Sequence, residues 1–241
     1  MRQKKEITLS GLEVGYIVRG KEHPNISPRV SNKQNANRRF ASGLADLSAG
    51  GHADCVLSTG QPVGVFGRGV PRDALSRPVS QISQINHKAG VLGYDAMATT
   101  RPAFVDALQA RAVGKSTILI VSAPKDKKDQ VLKFNEHWWS LMDLRDPGRM
   151  HIIGKNCSDY AYNSFTTSGF LSKIPMLYTP DRLFHRLVQS LRTEYSLKCY
   201  SGYIGFEPHE ESRMARQQDK EAKYTIIIED CAEFEVVSIH G

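Results

Sequence analysis

The sequence predicts an α+β domain in which a central antiparallel sheet packs against the helix carrying Cys157, with loop insertions between its elements. Three observations carry that expectation. Two β-prone runs, Ala53 to Ser58 and Pro62 to Phe66, flank a Thr-Gly-Gln turn and read as a hairpin. The apolar run Ile118-Leu119-Ile120-Val121 has the length and branching of a buried central strand. Stretches at Lys128 to Leu144, from Cys157 to about Gly169, and Asp181 to Tyr195 place apolar residues at helical spacing.

In chain order, residues 6 to 19 contain short β-type alternations, and the polar tract from Gly20 to Arg39, with two prolines and several asparagines, reads as a long loop. After the hairpin, Arg68 to Ala112 is an insertion rich in Arg, Gln and Ser. Pro102 with Ala103, Phe104 and Leu108 marks a helix start within it. Gly114-Lys115-Ser116-Thr117 has the ending of a phosphate loop, but Gln109 stands where the first glycine belongs, and a strand rather than a helix follows. In the Lys128 to Leu144 helix, Val131, Leu132, Phe134, Trp138, Leu141 and Met142 form the apolar face, and Asp146-Pro147-Gly148 stops it. Trp138 and Trp139 are read as core rather than as a ligand-stacking pair. In the last helix Leu183, Phe184, Leu187, Val188 and Leu191 share one face. Tyr224 to Glu229 and Glu233 to Ile239 read as a terminal hairpin.

A length of 241 residues, 40% hydrophobic and 24% charged, fits one substantial core. The expectation is a single domain over 1–241, with a core at about 45–195 and residues 196–241 as a C-terminal β-hairpin extension. No apolar run approaches the roughly 20 residues that span a bilayer, and the basic start has no hydrophobic segment behind it. The expected product is a soluble chain made in the cytoplasm without a cleavable signal. Cys55, Cys157, Cys199 and Cys231 lack the close paired spacing of a zinc ribbon and are too sparse for a disulfide scaffold. His52 and Cys55 would point to opposite strand faces, so no metal is expected, and no other cofactor is called for. A net charge of +7 favours an anionic polymer or surface. No helix-turn-helix, RNA-recognition or zinc-finger pattern appears, so nucleic acid is not the expected partner.

The chemistry-bearing residues lie in two short motifs. In Lys155-Asn156-Cys157-Ser158-Asp159, the thiol falls in the first turn of a helix, where unpaired N–H groups and the positive end of the dipole stabilise a thiolate. A lone cysteine is otherwise read as a small buried apolar residue. In Gly50-Gly51-His52-Ala53-Asp54, an imidazole sits at a strand start with room to face a neighbouring element. Histidine and cysteine so placed are what thiol activation requires, the ring taking the thiol proton and later protonating the leaving group. Asp54 shares a strand face with His52 and is the nearest candidate to orient it, with Gln61 behind it.

The order Gly-His, strand, turn, strand, long insertion, Asn-Cys-Ser, helix resembles the circularly permuted papain-like (NlpC-type) superfamily, as does the Thr179-Pro180-Asp181-Arg182 helix opening. That superfamily includes peptidoglycan hydrolases, lecithin retinol acyltransferase-like proteins and type VI secretion amidase effectors. The resemblance covers roughly residues 45 to 195 and implies Cys157 as nucleophile and His52 as base. The family's third polar residue on the second hairpin strand is missing from Pro62 to Gly67, which leaves Asp54 as its substitute. Further implied are cleavage of an amide bond in peptidoglycan stem peptide, delivery to the periplasm of a target cell, and partners in the form of a secretion machine and an immunity protein. Acyl transfer, deamidation of protein glutamine and a catalytically inactive binding module are the alternatives.

Overall fold

The computed structural model describes residues 3–22, 52–67, 87–92, 115–143, 149–150, 157–174, 179–209 and 222–234. In chain order these form β1 (Lys5–Thr8), β2 (Glu13–Arg19), β3 (His52–Val56), β4 (Pro62–Gly67), β5 (His87–Leu92), β6 (Ser116–Ser122), α1 (Lys128–Asp143), β7 (Arg149–Met150), α2 (Cys157–Thr167), α3 (Pro180–Leu191), β8 (Ser196–Pro208) and β9 (Tyr224–Phe234). The class is α+β. Every strand pairing is antiparallel, in the order β1-β9-β8-β6-β2-β3-β4-β5-β7. The first seven strands of that order make the main sheet, and β5 and β7 continue it at one edge. The helix expected near Pro102 and the His151–Asn156 lead-in to Cys157 lie outside the described residues, as do most of the polar tract and of the 68–112 insertion.

Alternation along the central strands explains the two-sided core. Val14, Tyr16 and Val18 of β2 and Leu119 and Val121 of β6 join Ala53 and Cys55 on the face covered by the helices. There they meet Phe134 and Trp138 of α1, Phe165 of α2, and Leu183, Phe184 and Leu187 of α3. Ile17, Ile118 and Ile120 point the other way, against Ile204, Phe206, Ile226 and Ile228 of β8 and β9. Burial on both faces is why residues 118–121 show an unbroken apolar run rather than alternation. This segment is strand β6, with Thr117 Oγ1 donating to the carbonyls of Lys21 and Glu22, so a strand and not a helix follows Lys115; residues 109–114 lie outside the described residues.

Two expectations change. Tyr224 to Phe234 is one strand with no hairpin turn between Glu229 and Glu233: Asp230 takes a positive φ of 54° and absorbs an irregularity while the ladder to β8 resumes, and residues 235–239 of the expected second arm lie outside the described residues. Nor is the C-terminal segment an appendage to a core of residues 45–195. β8 lies between β6 and β9, and β2, from before residue 45, is the fifth of the nine strands in that order, flanked by β6 and β3. β8 carries no in–out alternation over Cys199 to Gly202, which are all buried, and its pairing with β9 shifts register between Ser201 and Tyr203, where Gly202 has no room for a Cβ beside the Glu229 carbonyl. Beyond that shift the β8–β9 pair reaches the second face of the sheet: Tyr224 N donates to Thr59 O at 2.8 Å, in the β3–β4 turn.

That contact explains Gly60. It has φ +83°, and a Cβ there would lie 2.2 Å from the Tyr224 carbonyl oxygen. Gly60→Ala is expected to lower unfolding free energy by more than about 1 kcal/mol, because neither the backbone conformation nor the space suits a side chain. Urea denaturation measures it. α3 begins where Thr179 caps it, accepting from Arg182 N at 3.3 Å with Pro180 in the first turn. Tyr16 Oη donates to Pro180 O at 2.9 Å and so ties that helix start to β2. Among the described residues no helix is long and apolar enough to cross a membrane.

Candidate active site around Cys157

Cys157 is the first residue of α2, and this helix packs on β3 and β4 through Ala161 and Phe165. Phe165 is fully buried against Tyr16, Phe134 and Phe170, which fixes the helix axis over the strands. The consequence is a thiol held at the rim of the sheet. Ala53 N donates to Cys157 Sγ at 3.5 Å, so the backbone of β3 addresses the sulfur directly.

His52 opens β3, one residue before that donor. Its Nε2 lies 2.9 Å from Asp54 Oδ1, an ion contact rather than an aligned hydrogen bond. With its side chain 17% exposed, the ring keeps a path to solvent, whereas the Asp54 side chain is fully buried. His52 also adjoins the Cys157 sulfur closely enough for each to shift the other's titration. Asp54 Oδ2 accepts from Arg19 Nε at 3.0 Å, and Arg19 Nη1 donates to Ile204 O at 2.8 Å. The strand register sets this up, since Arg19 of β2 stands opposite His52 of β3. Sequence reasoning missed Arg19. Its only local signal is a charge closing the buried run Val14 to Val18, and its partner is brought to it by pairing across a long stretch of chain.

The electrostatics divide the thiols. Burial pushes the Cys157 thiol up, but the charge and hydrogen bonding of His52 and the Ala53 N–H outweigh it and leave its pKa below the ordinary value. Burial alone drives Cys199 up to about 12, burial foremost raises Cys55 well above the ordinary range, and Cys231 is raised as well. His52 moves the other way from what burial dictates: the charges of Asp54 and Cys157 raise it to about 10. Asp54 is held below the usual carboxylate range against burial, first by His52 and then by Arg19. The site thus sets a thiol that ionises more readily than an ordinary one beside an imidazole that holds its proton more tightly, backed by a carboxylate and a guanidinium.

The other candidates fall elsewhere. Cys55 lies on the helix-facing side with its sulfur 4.0 Å from Ser164 Oγ, Cys199 is buried on β8, and Cys231 is partly exposed on β9. Gln61 is buried at the β3–β4 turn, where its carbonyl accepts from Leu57 N. Among the described residues no three His, Cys, Asp or Glu side chains are set to hold a metal ion. Cys199→Ala and Cys231→Ala are expected to leave any thiol-dependent turnover within about twofold of wild type, since neither thiol has an activating base. Cys55→Ala should do the same at a modest cost in stability. Turnover and melting temperature measured together test all three.

Comparison with protein-family models, curated proteins and solved structures finds no match for the chain.

Proposed function

We propose that the protein is a cysteine-dependent hydrolase of amide bonds, with Cys157 as nucleophile and His52 as general base and acid. The observation that supports this most is geometric: the Cys157 sulfur at the start of α2 meets the β3 backbone at Ala53 N, 3.5 Å away, next to His52, whose ring is backed by the buried Asp54 carboxylate at 2.9 Å. The Cys157 thiolate adds to the amide carbonyl, and the oxyanion so formed is met by N–H groups at the start of α2. Collapse of the tetrahedral adduct breaks the C–N bond, the His52 imidazolium giving its proton to the departing amine. A thioester remains. His52, now neutral, takes a proton from water as the water attacks the thioester, releasing the carboxylic acid and restoring the thiolate–imidazolium pair.

For substrate we propose peptidoglycan stem peptide, on two grounds. The Gly-His and Asn-Cys-Ser motifs resemble those of permuted papain-like (NlpC-type) hydrolases, and a net charge of +7 favours an anionic polymer. The same resemblance supports a role as an antibacterial effector carried to the periplasm of a target cell by a secretion machine, with an immunity protein as its partner. The test is incubation of the purified chain with defined peptidoglycan fragments, with products identified by mass. Gain of one water at a single amide bond, absent with Cys157→Ala, is the expected result. Loss of ammonia from a glutamine side chain would redirect the reading to a deamidase, and acyl transfer to an added acceptor without water uptake would redirect it to an acyltransferase. Unchanged fragments, proteins and acyl donors would contradict it altogether and leave a binding module.

A further inference from the structure

We infer, on the hydrolase reading above, that Arg19 is a positioning residue of the site, aiming the Asp54 carboxylate so that its second oxygen faces the His52 ring. An arginine whose side chain is 2% exposed, beside an aspartate at 0%, carries a desolvation cost that a merely structural pair would recover best by a bidentate contact. The geometry here is divided. Asp54 gives Oδ2 to Arg19 Nε at 3.0 Å and leaves Oδ1 for His52 Nε2 at 2.9 Å. Arg19 spends Nη1 on the Ile204 carbonyl at 2.8 Å, and its guanidinium carbon lies 5.7 Å from the Phe206 ring centroid. The guanidinium is thus fixed by β8, two places away from β2 in the sheet, and it fixes the carboxylate in turn. A lysine has one charged nitrogen and no planar fork with which to hold both partners in this way.

Other titratable groups near the site come from β2, β3 and the start of α3. Tyr16 from β2 and Cys55 from β3 are pushed well up by burial and remain neutral near pH 7. Asp181, at the start of α3, contacts the Lys21 ammonium that follows β2. None of these replaces Arg19 as counter-charge to Asp54. Without the guanidinium, Asp54 loses one of the two charges that oppose burial and the contact that orients its carboxylate, so its support of the His52 imidazolium, and through it of the Cys157 thiolate, weakens.

The test follows alkylation of Cys157 by iodoacetamide across pH in the full chain, read by peptide mass mapping. A wild-type inflection at the ordinary thiol value overturns both the hydrolase reading and the role of Arg19. With a lowered wild-type inflection, Arg19→Met is expected to raise it by about one unit or more, so that alkylation at neutral pH slows about tenfold. Arg19→Lys should recover part of that loss. A folded Arg19→Met chain with the wild-type profile overturns the role of Arg19 alone and leaves the hydrolase reading standing. If Arg19→Met does not fold, nuclear magnetic resonance of the wild-type chain decides. The Arg19 Nε–H resonance is expected to move with the His52 titration at the same midpoint, and a resonance indifferent to that titration overturns the inference.

Discussion

Cys157→Ala is expected to abolish amide hydrolysis in a chain that still folds. The thiol is the group that forms the covalent intermediate, and the loss should be on the order of 10⁴-fold or more, because what remains is binding and oxyanion stabilisation alone. Little core volume is lost, since Cys157 is only partly buried at the start of α2, while Ala161 and Phe165 keep the helix in place. His52→Ala should cost a comparable factor, because its ring lies at the rim of the sheet and acts on the same proton. The two residues work as one unit, so the double variant should be scarcely slower than either single one. Rates on peptidoglycan fragments, measured with circular dichroism and melting temperature, check each. Multiplicative losses in the double variant would mean that thiol and imidazole act in separate steps.

Asp54→Asn is expected to damage both turnover and stability. The amide keeps the shape but not the charge that supports the imidazolium, and by the precedent of carboxylate–histidine pairs the rate should fall about 10²- to 10⁴-fold. At the same time Arg19 is left as a buried cation whose counter-charge is gone, which costs about 3–5 kcal/mol. The pH dependence gives an independent reading. Asp54 has its folded pKa below its unfolded value, so its contribution to stability is present above about pH 4 and is lost as pH falls towards the folded value. In Asp54→Asn that part of the acid-induced loss should disappear. Urea midpoints across the acid range measure it, and a variant as stable as wild type at neutral pH would show that the Arg19–Asp54 pair is not coupled to the fold.

How far the site was legible follows from where its information lies. Cys157, His52 and Asp54 announce themselves through residue type and immediate neighbours: a thiol at a helix start, an imidazole behind two glycines, and a carboxylate two residues along the same strand. Arg19 does not. Its meaning depends on the register that sets it opposite His52 and on a carbonyl from β8, and neither is written near residue 19. The fold divides in the same way. The α1, α2 and α3 stretches and the β3–β4 hairpin carry local periodicity and turn chemistry, and the strands form where those signals lie. β8 escapes a reading by alternation because Cys199 to Gly202 are all buried, and β9 looks broken because Asp230 interrupts it. Recovering them needs the partner strand.

The most direct measurement of the central claim is the pH dependence of Cys157 alkylation in the native chain, with and without His52. The account predicts an inflection below the ordinary thiol value in wild type, and one at or above that value in His52→Ala, where burial acts without the imidazolium to oppose it. Cys55 and Cys199 should remain unreactive in both chains. A Cys157 inflection that stays in the same place when His52 is removed would contradict the account.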